Sequence, residues 1–397
     1  MRGYTKVRIS KKGTIRQENW HPWIFDNEIE EVIGSYNNGD IVDVVNYKNK
    51  YIGSGYINNN SKIRIRIISR NSNDTFDEDF FRRRIKYAID YRLNILDNLD
   101  SARLIFGEAD SFSGLTIDKY NNILVSEINS LAMDINKDII YKLLTEILEE
   151  YGYKIDGIYE RCDSELRIKE GLNQHSGFYG KEPDYDSTII VENGIKYIID
   201  FKNGQKTGFF LDQRFNRLAI RKLANNKNVL DVCTCTGSFG FNAYLGNAKK
   251  VTSVDISKDS LEIAKKNAKL NNFNDIEYVC SDAFDYLDSI HKGEYDFIIL
   301  DPPAFAKTRN NINNAKRGYL DLNLKAIKKL NRGGYLATCS CSSYMNRQLF
   351  IDMLKEAAKE ACVDIRIIEE RKQAPDHPIL INVPETYYLK FFILQIL

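Results

Sequence analysis

The chain has 397 residues, 43% of them hydrophobic and 28% charged, with a net charge of +1. That composition describes a globular chain of two or three domains and excludes a global basic field of the kind that advertises nucleic acid. No apolar run approaches the ~20 residues needed to span a bilayer. No signal-like stretch follows Met1, so the seven cysteines read as reduced thiols of a cytoplasmic protein.

Charge is unevenly spread. Residues 1–70 carry 12 Lys/Arg against 7 Asp/Glu, a balance of +5. This segment reads as all-β, with strands at 39–46, 51–56 and 62–68. Lys62-Ile63-Arg64-Ile65-Arg66-Ile67 has a strict period of two, which puts bases on one face and isoleucines on the other. A small β-barrel with a basic face suits an RNA accessory domain; a merely solvated outer face is the plain alternative. Residues 71–77 read as a polar linker. The stretch 80–99 reads as a helix opening on Arg82-Arg83-Arg84, which marks a solvated face or a phosphate contact. Strands are expected over 102–128 with a turn at 119–122, an amphipathic helix at 137–150, a strand at 155–161 and a loop at 171–185. A hairpin over 186–201 turns at Glu192-Asn193-Gly194, where Asn-Gly supplies the positive φ angles.

From about 214 the pattern changes. A helix at 214–224 leads into short apolar strands at 228–232, 250–255, 276–280, 295–300 and 334–338, alternating with helical stretches. A last strand is expected at 387–394. Strands alternating with helices predict a doubly wound, mostly parallel α/β sheet, whose ligands sit at the carboxyl ends of the strands. The polar residues fall there: Asp231, Asp255, Asp282, Asp301 and the Cys339–Ser342 run each follow or end a strand.

The loop Cys233-Thr234-Cys235-Thr236-Gly237 lacks the three glycines that let a backbone meet a pyrophosphate, which disfavours NAD. An adenosine without phosphate suits it better, and S-adenosylmethionine is the common such ligand. Asp255 is positioned for the ribose hydroxyls and Asp282 for the adenine side. Capping of the next helix is the alternative for either acid. No His/Cys cluster accompanies Cys233 and Cys235, so no metal is expected. Asp301-Pro302-Pro303-Ala304-Phe305 forms a rigid turn holding an acid and an aromatic against a flat substrate, with Phe305 suited to stacking on a base. A thiol after the fifth strand is a candidate nucleophile, with a buried core cysteine as the alternative. Cys339 and Cys341 share a face if the strand runs through both, and separate if the chain leaves it near Ser340. Cys280 and Cys362 read as core, and Cys162 receives no role. A thiolate beside Asp-Pro-Pro points to C5 of a pyrimidine: C5 takes a methyl group only after a nucleophile adds at C6.

These residues resemble the class I S-adenosylmethionine-dependent rRNA methyltransferases that make 5-methylcytidine in large-subunit RNA. The resemblance runs through Phe106–Asp118, Lys206-Thr207-Gly208, Asp212-Gln213-Arg214, Thr236-Gly237, Asp255, Asp301-Pro302-Pro303 and Arg317-Gly318-Tyr319. It continues through Ser340-Cys341-Ser342, Gln373–Pro378 and Pro384-Glu385. It implies a PUA-like RNA-binding β-barrel at 1–72, a central α/β domain at 73–185 and a Rossmann-like methyltransferase domain at 186–397. It also implies Cys341 as nucleophile, with Asp255 and Asp282 on the cofactor and Asp110 and Asp118 as structural acids. The full assignment adds Gln213, Asp231, Thr236, Gly237 and Asp301 to the cofactor site. Asp301, Pro302 and Phe305 meet the base, Lys62, Arg64 and Arg66 meet RNA, and Glu385 is the base that removes the C5 proton, with Asp376 and His377 as rivals. The expected partner is large-subunit rRNA, with no membrane. A homodimer is among the states left open. Uridine-C5 methylation, purine-N methylation and a non-catalytic assembly role are the other readings.

Overall fold

The computed structural model describes residues 3–305 and 311–397. The chain divides into two compact units. The first comprises Met1–Ile190, Ile199–Phe209 and Pro375–Thr386, and the second Val191–Ile198, Phe210–Ala374 and Tyr387–Leu397.

The first unit opens with β1 (Thr5–Ile9), α1 (Lys11–Glu18), β2 (Trp23–Phe25), β3 (Ile29–Ile33), β4 (Ile41–Val45), β5 (Tyr51–Ile57) and β6 (Ile63–Ser69). The strands form one sheet in the order β2-β6-β5-β4-β1-β3, with β1 and β4 parallel. Val7, Ile9, Ile24, Val42, Val44, Ile57 and Ile65 make its core. The helix α1 departs from the all-β expectation. Its residues are mostly polar and show no apolar stripe. What starts it is Ser10, whose hydroxyl accepts the Gly13 N–H at 3.1 Å.

The basic face expected on β6 needs correction. Lys62 is exposed, but Arg64 bonds Asp26 and Asn59. Arg66 is buried, donating to Glu170 at 2.7 Å and to Ser113 at 3.0 Å. The alternation is present, yet both faces of this strand are partly covered, and the arginine meets an internal acid instead of solvent. Similarly, Arg82 pairs with Glu146 and Arg83 with Asp74, and Arg84 donates to the Ile68 carbonyl.

Next come α2 (Glu78–Ile95), β7 (Ser101–Phe106), β8 (Leu115–Tyr120), β9 (Ile123–Ile128), α3 (Leu131–Ile135), α4 (Lys137–Glu150), β10 (Gly157–Cys162), α5 (Glu165–Lys169) and β11 (His175–Tyr179). The sheet order is β11-β10-β9-β8-β7. β11 lies inside the expected loop. It pairs antiparallel with β10, and the Phe178 ring meets Tyr159 with centroids 5.1 Å apart. Asp110 and Asp118 are structural acids: they hold Arg92 and Arg103 through paired hydrogen bonds of 2.6 to 2.8 Å.

A hairpin of β12 (Ser187–Glu192) and β13 (Ile195–Asp200) turns through Asn193 at φ 54° and Gly194 at φ 79°, as Asn-Gly predicts. The second unit then runs α6 (Arg214–Ala224), β14 (Asn228–Val232), α7 (Ser238–Leu245), β15 (Lys250–Asp255), α8 (Lys258–Leu270), β16 (Ile276–Cys280), α9 (Ala283–Ser289), β17 (Phe297–Leu300), α10 (Ile312–Lys329), β18 (Tyr335–Ser340), α11 (Arg347–Glu360), β19 (Ile365–Arg371) and β20 (Lys390–Ile396). Its sheet order is β16-β15-β14-β17-β18-β20-β19. The first five strands are parallel, and β20 runs against both β18 and β19. β19 was not expected: its outer residues are charged, so the run Ile365–Arg371 lacks the apolar character of the interior strands. Cys280 and Cys362 are both exposed rather than core, one on the edge strand β16 and the other in the turn after α11. Among the described residues no helix is long and apolar enough to cross a membrane.

The burial of Arg66 has a measurable consequence. Arg66→Ala strands the Glu170 charge and should cost about 3–5 kcal/mol in chemical denaturation. Lys62→Ala should change stability by less than about 0.5 kcal/mol. Equal small effects would return Arg66 to the solvated face.

Candidate active site

The site is built on three neighbouring strand ends, β14, β17 and β18. Asp231, near the end of β14, is fully buried. One carboxylate oxygen accepts the Gly240 N–H at 2.8 Å and the Thr234 hydroxyl. Those bonds tie the strand, the loop after it and the start of α7 to one acid. Burial pushes its pKa up to about 7, with Asp301 and Asp255 adding to the rise. Across the sheet Asp231 is in register with Ser253 and then Tyr278. Asp231 Oδ1, Ser253 Oγ and Tyr278 OH are buried without a protein hydrogen-bond partner.

The loop itself winds through three left-handed residues, Cys233 at φ 61°, Cys235 at φ 51° and Gly237 at φ 86°. Only glycine fits the last of these, because a Cβ there would lie 2.5 Å from the Phe241 ring. Both cysteines are half-buried, and burial together with nearby Asp255 raises their pKa values, that of Cys235 to about 12. They are therefore neutral thiols near neutral pH. Asp255, at the end of β15, uses one oxygen for the Cys235 N–H at 2.8 Å and the other for the Ser257 N–H at 2.9 Å. Each oxygen keeps lone pairs for a diol. Asp282 caps α9: its Oδ1 accepts the Phe284 N–H at 2.8 Å and the Asp285 N–H at 3.3 Å. The capping alternative is thus realised at Asp282. Thr236 is half-buried beside Gly237.

Asp301 follows β17. Its Oδ1 accepts from Gln213 Nε2 at 3.1 Å and from the Cys339 thiol at 2.8 Å. Burial lifts its pKa to about 6, against the lowering effect of the Cys339 bond. Gln213 also donates to Cys339 Sγ at 3.5 Å and accepts from Asn216 Nδ2 at 2.7 Å. Both of its amide N–H groups are taken inside the protein. Through them Gln213 is tied to Asp301 and Cys339. Pro302 is buried. Phe305 is half-buried, its ring centroid 4.6 Å from that of Tyr319. Residues 306–310 lie outside the described residues.

The strand β18 ends at Ser340, so the chain leaves the sheet between the two thiols. Cys339 is fully buried on Asp301, and burial drives its pKa well above the usual thiol value. Cys341 is half-buried beyond the strand end. The residues beside it are held. Ser340 Oγ donates to Tyr319 OH at 3.0 Å, and Lys390 Nζ donates to the Ser342 carbonyl at 2.5 Å and the Tyr388 carbonyl at 2.7 Å. Lys390 was missed in the sequence. The available signal was a lysine inside an otherwise apolar strand.

Glu385 belongs to the first unit, as do Asp376 and His377. Its Oε2 lies 3.2 Å from His21 Nε2, and that hydrogen bond holds its pKa below the usual carboxylate value. Asp376 and His377 are buried and bonded to each other at 3.0 Å, with Asp376 also accepting the Arg103 N–H. Glu160, Cys162 and His175 gather in the five-stranded sheet, but Lys137 Nζ sits 3.1 Å from that carboxylate and supplies the positive charge.

A Rossmann-like sheet with an acid-tied glycine loop, an acid at the second strand end and a thiol past the fifth is the frame of a methyltransferase. A family profile for S-adenosylmethionine-dependent methyltransferases matches residues 174–391, and the chain belongs to that family. A PUA-like profile matches residues 7–70. The chain is similar to ribosomal RNA large subunit methyltransferase I of Aeromonas salmonicida, 39% identical over 395 residues and covering 98% of each chain. It is also similar to the Escherichia coli O157:H7 protein of that name, 36% identical over 383 residues, covering 95% of this chain and 96% of the relative. A solved methyltransferase complexed with SAH has the same fold, with a TM-score of 0.83 at 22% identity over 98% of this chain and 99% of the other. The cofactor is S-adenosylmethionine. The residues present fit it: Asp255 keeps lone pairs for a ribose diol after accepting the Cys235 and Ser257 N–H groups.

Asp231 gives the site a pH signature. Its folded pKa lies above the ordinary carboxylate value, so the folded state holds the proton more tightly and loses stability as pH rises from about 4 through about 7. Asp231→Asn keeps the acceptor for Gly240 but removes the charge. The difference in unfolding free energy between variant and wild type should therefore grow in the variant's favour across that window. A flat difference would place the pKa elsewhere.

Proposed function

We propose that the chain methylates large-subunit ribosomal RNA, at C5 of a cytosine, through a cysteine adduct at C6. The observation that carries this reading is the division of labour between the two thiols: Cys339 is sealed against Asp301, while Cys341 is half-buried just past the strand end. The relatives named above are rRNA large subunit methyltransferases that align over nearly their whole length. The PUA-like match at residues 7–70 supports an RNA substrate.

In this mechanism the Cys341 thiolate adds to C6 of the pyrimidine, and the electron pair of the C5–C6 bond makes C5 nucleophilic. The cofactor supplies an electrophilic methyl group on a sulfonium. Asp301 holds the N3 edge. With a pKa of about 6 it retains enough proton affinity to donate to a cytosine N3 as charge builds there, whereas uracil N3 already bears a hydrogen. That favours cytosine over uracil. Phe305 and Pro302 pack the base, Asp255, Asp282, Thr236 and Gly237 hold the adenosine side, and Lys62 serves RNA phosphate. The C5 proton then leaves to a base, and the thiolate departs from C6. Glu385 is the proposed base, since its carboxyl is kept ionised by His21.

The test is a set of variants on rRNA, with 5-fluorocytidine RNA to trap the adduct. Cys341→Ala should abolish methylation and the adduct while S-adenosylmethionine still binds. Cys339→Ala should keep most activity and lose stability through its cavity, and Glu385→Gln should accumulate adduct. A Cys341→Ala enzyme that still methylates C5, or a Glu385→Gln enzyme with normal turnover, removes that residue from the mechanism.

For the cofactor, Asp255→Ala should weaken S-adenosylmethionine binding by about 1–3 kcal/mol in calorimetry, the scale of a hydrogen bond to a charged group. An unchanged dissociation constant would take Asp255 out of the site.

A further inference from the structure

Antiparallel pairing of β18 with β20 sets Ser340 directly opposite Lys390, one residue from Cys341. The Lys390 side chain is buried, only 1% exposed, and its Nζ reaches the carbonyl of Ser342 on the far side of that cysteine. A second N–H goes to the Tyr388 carbonyl. An ammonium has three donors, so one is left over after these two carbonyls. Among the described residues no carboxylate is bonded to it, whereas the buried Arg66, Arg92 and Arg217 each hold an acid. A buried charge without an acid is costly, and the protein keeps it at the turn that bears the thiol.

We propose that Lys390 is the positioning residue that activates Cys341: its ammonium fixes the turn through Ser342 and stabilises the thiolate. This rests on the reading of Cys341 as nucleophile and deepens it. Before attack, the Cys341 S–H bond breaks, its proton passes to solvent, and the electron pair stays on sulfur, facing the Lys390 charge. The interaction is reciprocal. Burial lowers the Lys390 pKa to about 8, and the charges of Cys341 and Cys339 oppose that fall. Among the described residues, Tyr319, whose phenol burial keeps neutral, and Cys339, kept protonated on Asp301, are also coupled to the thiol. Among the described residues, Lys390 is a cation whose charge is coupled to both thiols of this turn.

The test needs no RNA. Alkylation of Cys341 by iodoacetamide is followed by peptide mass spectrometry from pH 6 to 10 in the full chain, for wild type, Lys390→Met and Lys390→Arg. The Lys390→Met midpoint should rise by about one pH unit or more. Its rate at pH 7.5 should fall about threefold, since tenfold less thiolate is partly offset by a more nucleophilic one. Lys390→Arg, which keeps the charge, should restore the wild-type midpoint. Identical midpoints in all three, or equal shifts in Met and Arg, would overturn the proposal. If Lys390→Met does not fold, the reciprocal measurement decides. The Lys390 pKa, read from its 15N ammonium signal, should fall in Cys341→Ser, and an unchanged value would overturn the coupling. A shifted midpoint with no C5 methylation of RNA would instead reject the proposed reaction and leave the coupling standing.

Discussion

Adjacency of β14, β17 and β18 is the constraint from which the site follows. Three parallel strands ending side by side bring Asp231, Asp301 and the turn at Cys341 to one edge of the sheet. The strands are mostly apolar, with their chemical side chains toward the carboxyl ends, so chemistry collects where the chain leaves the sheet. The acids carry their own consequences of burial. Asp231 binds its proton up to about pH 7 and Asp301 up to about pH 6, because neither meets a basic side chain through a hydrogen bond in the contacts that hold it.

The reversed strand β20 is the second determinant. Running against β18, it delivers Lys390 opposite Ser340, and the turn after β18 is then anchored from two sides, by Tyr319 on Ser340 and by Lys390 on Ser342. A parallel strand in that place would set a different residue opposite the turn. Cys339 and Cys341, two residues apart, acquire opposite characters from this local geometry. One ends inside the sheet bonded to an acid, and the other lies past it.

Polar side chains elsewhere were legible in type but not in use. Arg66 continues a period-two pattern that says nothing about whether an acid faces it, and Glu170 does. Gln213 sits in a motif suggestive of ligand binding, yet both its donors go to Asp301 and Cys339. Asp282 reads equally as ligand or cap, and it caps α9. For Arg66 and Gln213 the deciding partner is distant in the chain, so no local pattern records it; the Asp282 cap is local, two and three residues away.

What the sequence determined by itself is the part governed by short range: the strand–helix alternation after residue 214, the Asn-Gly hairpin, the glycine that a left-handed φ demands at 237, and the clustering of acids and a thiol at strand ends. Periodicity and turn chemistry act over a few residues, and those elements appear where the pattern puts them. Tertiary structure decided which of two thiols is buried, which arginine meets an acid, that β11 and β19 form, and that a lysine 49 residues after Cys341 reaches its turn. Those outcomes depend on pairing between segments remote in sequence, where burial and a partner's charge, not local preference, set the energy.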